Sequence, residues 1–424
     1  MRKRLQKIIP QSAFAKNVLT LMTGTTIAQA IPVAISPILT RIYSPEDFGV
    51  LALFVSITTI MGAVVNGRYE LAIVLPEEDE KAQSLLGLCI IIAAVISLLL
   101  FLIILPFHAL IVENLNNADI SRWLYFVPLV VFLLGVFNAF NYYFSRKKQF
   151  RYIAQGNVLK SSALASGQLG FSLLQSGVFG LVLGRIFSTL FAPLYFLRKF
   201  SKTEKIDFKW SNLKSMAKRY VDFPKYDVWA GLLNNFSLYC NEFIIPILYN
   251  TTTLGYFAII RNVFGIPFLL ISSSVSQVFF KEATELKIKQ GNTQSLVKST
   301  TKKLAIVSVL GFSILFLISE ELFAFVFGEE WRIAGVYIRY LIPLYMIRLV
   351  VSPLTIIHSV YEKIRMSFYM QVLMVSFIGV VFFVSFLLDL DFVEYLKLYS
   401  LLMSLFYLLR WVVIFKISKA SYYD

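Results

Sequence analysis

The chain has 424 residues, of which 58% are hydrophobic and only 15% charged, with a mean hydropathy of +0.71 and a formal net charge of +15. Soluble domains use about 45–50% apolar residues, so a chain this apolar is an integral membrane protein. Its positive charge does not signal nucleic acid, because the basic residues are spread between apolar runs instead of gathered on one soluble face.

Taken in chain order, runs of about 20 apolar residues predict twelve membrane helices, near 17–40, 48–75, 84–105, 123–144, 150–172, 177–197, 224–248, 253–280, 304–319, 333–360, 366–388 and 392–416. The opening MRKRLQKIIPQSAFAK leads into a run long enough to span, so no cleavable signal peptide is expected. With the N-terminus inside, the cytoplasmic segments hold 29 Lys and Arg, and the outer loops hold only Arg41, Arg122 and Arg332. Such an asymmetry fits the positive-inside rule and puts both termini in the cytoplasm. The outer loops are short; the longest, 106–122, carries no motif, and QSG and YNTTT barely turn the chain.

The second run, FGVLALFVSITTIMGAVVNGRYELAIVLP, carries Arg68 and Glu70 late in an otherwise apolar stretch, where a charge costs several kcal/mol on insertion scales. Asn66-Gly67 just before them suggests a loosened turn, so the pair is a candidate inner-gate latch. On the fifth run Lys160 lies near mid-depth beside a small-residue row, Ser162, Ser166 and Gly170, of the kind that lets helices pack closely. Arg185 lies near mid-depth on the sixth.

Between the halves, SKTEKIDFKWSNLKSMAKRYVDF spaces Ile206, Trp210, Leu213, Ala217 and Tyr220 at steps of three and four. That is an amphipathic helix, either lying at the inner headgroup layer or turning its apolar face to the bundle. On the seventh run Asn234 and Asn241, and Asn235 and Glu242, are each seven apart and share one stripe. The eighth carries Arg261, within reach of Glu242 across the short YNTTT turn. The tenth carries Arg339 and Arg348 on either side of Pro343, and the twelfth Lys397 and Arg410. Lys397 and Arg410 are near enough to their helix ends to snorkel to headgroups. Arg348 is expected to face an interior cavity and Arg339 its outer rim. Pro32 and Pro37 allow bends in the first helix.

These runs hold eight cations against two acids, Glu70 and Glu242, which asks for an anionic guest. The candidate binding set is Arg68, Lys160, Arg185, Arg261, Arg339, Arg348, Asn234 and Asn241, with Glu70 and Glu242 as gating or coupling residues. Cys89 and Cys240 each lie inside an apolar run, and His108 and His358 are the only histidines, which argues against a disulfide framework, a metal site or a bound cofactor.

The chain also repeats itself. YSPEDFGVLALF from Tyr43 and YNTTTLGYFAII from Tyr249 align at an offset of 206, with identities at Tyr43/Tyr249, Gly49/Gly255 and Ala52/Ala258. Together with the helix count, this predicts an all-α membrane protein of two parallel six-helix lobes, about 1–200 and 201–424, with a substrate site between them as in parallel-repeat transporters.

GRYELAIVLPEEDEKA, TRIYSPEDFG and GYFAIIRNVFGIPFLLISSSVSQVFFKEA resemble the polysaccharide-export family of bacterial oligosaccharide flippases, the Wzx-like proteins. The resemblance implies a V-shaped fold of the multidrug/oligosaccharidyl-lipid/polysaccharide superfamily in the bacterial cytoplasmic membrane. It implies movement of an undecaprenyl-pyrophosphate-linked glycan to the outer leaflet, for O-antigen, capsule or teichuronic-type polymers. Arg68, Glu70 and Arg261 fall in the matching motifs and carry over as functional candidates. Membrane lipids, a polysaccharide polymerase and chain-length proteins are the partners such a role brings. Related lipid-linked peptidoglycan precursor flippases have arginines on the first helix, and this first helix has none. The competing classes are a cation-coupled drug exporter of the same superfamily, which should favour acids in its cavity, and a membrane glycan polymerase or ligase, for which Asp389 with Asp391 on a short turn is the candidate acidic pair.

Overall fold

The computed structural model describes residues 13–115, 117–174, 177–202 and 204–419. The basic residues Arg2, Lys3, Arg4 and Lys7, and Gln175 and Ser176 of the QSG turn, lie outside the described residues. The described chain is helical throughout. It runs through α1 (Ala13–Leu39), α2 (Pro45–Gly62), α3 (Asp79–Asn114), α4 (Val127–Arg146), α5 (Phe150–Ser172), α6 (Val178–Phe200), α7 (Trp210–Arg219), α8 (Val228–Tyr239), α9 (Asn241–Leu248), α10 (Thr251–Gln290), α11 (Gln294–Phe327), α12 (Arg332–Val351), α13 (Ile364–Leu387) and α14 (Phe392–Ile417). Ten helices among the described residues are long and apolar enough to cross a membrane, so the chain is a multi-pass membrane protein.

The two other predicted runs fall short of the rest in apolarity or in length. The fifth forms α5 but carries Gln155, Lys160 and Gln168 among its apolar residues. The seventh is interrupted at Cys240, leaving α8 and α9 each shorter than a span. Pro246, inside α9, cannot donate to the carbonyl four residues back, which weakens the ladder just after that break.

The second run departs most from expectation. Helix α2 stops at Gly62, and the segment expected to continue to residue 75 turns back through Gly67 and Arg68, both left-handed at φ of 59° and 63°. A short 3-10 helix, Tyr69–Val74, follows. Glycine enters that region freely, but a non-glycine residue is held there only by its surroundings. Here the Asn66 amide donates to the Cys89 carbonyl at 3.1 Å and pins the turn to α3. Two other runs are longer than their apolar parts: α10 continues as helix to Gln290 and α11 begins as helix at Gln294, because polar helix formers continue in water what the apolar stretch begins.

The repeated starts are built alike. The Ser44 hydroxyl accepts from the Asp47 N–H at 3.2 Å at the start of α2, and the Asn250 side chain accepts from the Thr253 N–H at 2.8 Å at the start of α10. Each cap lies 206 residues from its counterpart, at the offset of the sequence repeat.

The chain divides into two compact units, Met1–Phe243 and Ile244–Asp424, so that the segment 201–243 belongs with the first. The core of the first unit is aromatic: Phe140, Tyr143, Phe144, Phe196 and Phe200 pack with Leu85, Leu86 and Cys89. Helix α7 adds Leu213 and Met216 to this core, while Trp210 is left exposed. Its apolar face is therefore turned to the bundle, the second of the two arrangements expected. The linker before it reaches α3 at Gly87, where any Cβ would collide with the Asp207 carbonyl. Ser84 donates to Asp207 at 2.7 Å beside it. Glu204 of the same linker accepts from the Tyr143 hydroxyl and pairs with Lys147 at 3.1 Å, and Lys147 and Arg146 both hold Asp79.

Candidate functional site

In the first unit the left-handed turn aims Arg68 at two carboxylates. Its Nη1 stands 3.5 Å from Glu70 Oε1 and its Nη2 3.8 Å from Asp227 Oδ2. Both distances are long for a charge-assisted hydrogen bond, which is near 2.7–2.9 Å. The side-chain stem of Arg68 passes over Gly231 of α8. Glu70 is 2% exposed, and its Oε2 has no hydrogen-bond partner. Glu70 lies in the segment between the α2 and α3 spans. Burial pushes its carboxyl up from the ordinary 4.5 to about 7, against the opposing pull of its own backbone hydrogen bond and of Arg68. The cluster is a loosely held charge triad with one buried acid and a partly exposed cation. Asp227 was not foreseen; it is brought in by a π-helical turn, Phe223–Asp227, that precedes α8.

Lys160 and Arg185 form a second constellation, on the packed helices α5 and α6. The Lys160 ammonium sits 4.6 Å from the centre of the Phe137 ring, a cation–π contact. The two cations are close enough to interact with each other, and Arg185 also interacts with Tyr239. Neither has a carboxylate partner among the described residues, and Arg185 Nε is buried without a hydrogen-bond partner. Ser162, Ser166 and Gly170 do not pack helices together as expected. All three are exposed; the close approach of α5 to α6 is made by Gly167 against Gly184. Ser162 instead lines a groove of about 640 Å³ between α5 and α1, with Thr20, Thr23 and Gln155.

On α8 and α9 the expected asparagine stripe is split, with Asn234 exposed and Asn241 buried beyond the Cys240 break. Asn235 is spent on the Gly231 carbonyl at 2.9 Å. Glu242 is fully buried in the first unit, and Arg261 is half-buried on α10 of the second.

In the second unit Arg339 pairs with Glu320 at 3.1 Å and donates to the Phe316 carbonyl at 3.1 Å. Its charge is therefore matched within the protein. Arg348 stacks on Phe268 at 4.8 Å and has Tyr345, Tyr399 and Tyr407 as polar neighbours. Lys397 is exposed and lies over Tyr340 at 5.4 Å, in keeping with an anchor. Arg410 differs from the headgroup anchor expected of it: its Nε is buried, and it lies beside Arg348 and Tyr407.

The fold is that of known transporters. A solved multidrug resistance MATE family transporter of the MOP superfamily, in an inward-facing conformation, is 13% identical, with a TM-score of 0.68 and 93% of each chain covered. The lipid II flippase MurJ in an inward closed conformation is 12% identical, with a TM-score of 0.73 over 95% of this chain and 89% of its own. A MOP superfamily transporter from Pyrococcus furiosus is 12% identical, with a TM-score of 0.59 over 95% of this chain and 94% of its own. No curated protein sequence matches the chain. The model of a family described as polysaccharide biosynthesis protein matches residues 38–334, which is most of the chain, and the protein belongs to that family.

Proposed function

We propose that this protein is a flippase of the bacterial cytoplasmic membrane, which carries an undecaprenyl-pyrophosphate-linked oligosaccharide from the inner to the outer leaflet for surface polysaccharide assembly. The observation that carries this reading is the pair Lys160 and Arg185, two cations inside the helical bundle with no carboxylate partner among the described residues. Unmatched cations away from water are costly unless a guest supplies the counter-charge. A pyrophosphate does so, and guanidinium presents a fork of donors suited to its oxygens. The family membership supports polysaccharide work, and the flippase fold supports a lipid-linked cargo.

In this mechanism Lys160, Arg185 and Arg68 replace the water that the pyrophosphate loses, while the lipid tail stays in the bilayer. The latch of Arg68, Glu70 and Asp227 alternates between closed and open as access changes, and Arg261 of the second unit is a separate candidate for contact with an anion. The test is purified protein in liposomes with a fluorescent lipid-linked oligosaccharide on one leaflet. Wild-type protein should move the label to the other leaflet without changing its chain length. Arg185→Gln and Lys160→Gln should each slow transfer roughly tenfold or more, a loss of about 1.4 kcal/mol of binding. Unchanged transfer in both variants at equal incorporation would remove this pair from the site.

A further inference from the structure

A second pair of unmatched cations lies wholly inside the other unit. Arg348 on α12 and Arg410 on α14 have neither an ion pair nor a hydrogen bond to any described residue, and the Nε of each is shielded from solvent without a partner. The two helices pack on each other and, with α13 between them in the chain, run the same way. Arg348 is the seventeenth residue of its helix and Arg410 the nineteenth of its own. Tyr337 of α12 lies beside Phe392 of α14 at 4.9 Å and Lys397 lies over Tyr340 at 5.4 Å, a register that sets Arg410 roughly 8–10 Å beyond Arg348 along the helix axis at 1.5 Å per residue, within the combined reach of two arginine side chains. They are close enough to repel.

The neighbours of this pair are aromatic and neutral. Tyr407 and Tyr345 are buried, Tyr399 lies beside them, and Phe268 of α10 covers the Arg348 guanidinium. His358 also interacts with Arg410; its Nδ1–H donates to the Thr355 carbonyl at 2.8 Å, and its Nε2 is buried without a hydrogen-bond partner. Glu394 of α14, Glu282 and Glu285 of α10, and Glu362 are all exposed and pair with neither arginine. Arg348 makes no bond to the carbonyls beside Pro343, so relief of a proline kink does not account for it.

An apolar groove of about 350 Å³ runs along the same two helices, lined by Met346, Ile347, Val350, Leu408 and Trp411. At 100° per residue those positions centre roughly 130° round each helix from Arg348 and Arg410, so the groove lies on another face. It plays no part in the cation pair.

We propose that Arg348 and Arg410, with the Tyr407 hydroxyl, form a binding site for a phosphoryl anion within the second unit, separate from the cations of the first. Two guanidinium forks on packed helices offer donors to several oxygens of one phosphoryl anion, whereas a single chloride uses few of them. The anion relieves the repulsion between the two arginines and ties α12 to α14. It is either a free phosphate or pyrophosphate ion or the phosphate of a lipid headgroup. The site does not rest on the transport reading, since binding here requires no flipping.

The experiment is thermal unfolding of the purified full-length protein in a sulfonate buffer with no phosphate or chloride, titrated with orthophosphate, pyrophosphate or chloride. A parallel arm titrates mixed micelles containing polyprenyl diphosphate. Wild-type protein should be stabilised by the phosphoryl anions at concentrations at which chloride is ineffective. Arg348→Gln and Arg410→Gln should weaken that response roughly tenfold or more and Arg410→Lys should keep part of it, each made in an Arg185→Gln background so that the cations of the first unit do not contribute. Stabilisation by free ions as well as by the micelles identifies a soluble anion, and stabilisation by the micelles alone identifies a headgroup; both support the site. A purely structural role would lower the melting temperature of both glutamine variants equally with and without phosphate. That result, or a wild-type protein indifferent to every phosphoryl probe, overturns the proposal. Loss of flipping in Lys160→Gln and Arg185→Gln with this response unchanged would separate the two sites.

Discussion

Glu70→Gln is the sharpest perturbation of the latch, because it keeps the shape of a 2% exposed side chain and removes only its charge. In the folded protein the carboxyl is displaced from the ordinary 4.5 to about 7, first by burial. At 1.36 kcal/mol per pKa unit this is roughly 3 kcal/mol against the ionised form. The groups facing it are Arg68, which favours ionisation, and Asp227, which opposes it; the Cys89 thiol and Tyr142 phenol are its other titratable neighbours. The sign follows from proton linkage. Between the two values the folded state binds more protons than the unfolded state, so stability falls as pH rises. Glu70 thus contributes fully below about 4.5, and its contribution is gone once pH passes about 7. The assay is thermal unfolding in detergent from pH 5 to pH 8, wild type and variant side by side. The difference between them isolates this one group: the variant should gain on the wild type as pH rises, approaching roughly 3 kcal/mol at pH 8. Parallel curves, or a wild type that gains on the variant toward alkaline pH, would refute a raised carboxyl at this position. The same variant tests the latch, since flipping that depends on Glu70 protonation should lose its pH dependence.

Four further outcomes follow from particular contacts. Cysteines placed at Ser145 and Gly291 should react only with cytoplasmic reagent and one at Glu329 only from outside, with the native Cys89 and Cys240 silent because both are buried; reversed labelling would overturn the orientation. Gly87→Ala should push Asp207 off α3, lowering stability by about 1–3 kcal/mol and opening the linker at 204–209 to protease; an unchanged digestion pattern would show that the linker docks elsewhere. Asp207 is held below the usual carboxylate range by hydrogen bonds from Ser84, Asn212 and the Lys209 N–H. Its contribution is present above that range and disappears as pH falls through the lower value, so Asp207→Asn should flatten the acid limb of a stability–pH curve. Arg261→Ala should abolish glycan export at normal membrane abundance, with Arg261→Lys restoring part; full export by the alanine variant would exclude Arg261 from the site.

What could be read from the chain follows the range of the physics involved. The caps at Ser44 and Asn250 are local, a polar side chain three residues before the N–H it satisfies, so a repeat in sequence returned as a repeat in structure. The Asn66-Gly67 pair marks a loosened turn locally, yet hydropathy carries the run on to residue 75, well beyond Gly62, where the helix ends. Nothing nearby in sequence announces that Asn66 reaches Cys89, 23 residues on, and it is this bond that holds the turn against α3. Hydropathy found the spans because desolvation depends on side-chain type alone. It could not find which charges are neutralised, since partnership depends on packing. Depth along the tenth run separates Arg339 from Arg348, but nothing in the sequence shows that Arg339 meets Glu320 while Arg348 stacks on Phe268 without a carboxylate partner among the described residues. Arg410 looked like an anchor because it lies near the end of its run, and its distance from the end misled. A long side chain can snorkel only if its helix turns it outward, and α14 turns Arg410 toward α12. Counting cations therefore indicated an anionic guest but overcounted the residues free to meet one, and the structure narrows the unmatched set by pairing. The pairs left over, Lys160 with Arg185 and Arg348 with Arg410, fall in separate units. That separation makes the two anion sites independently testable.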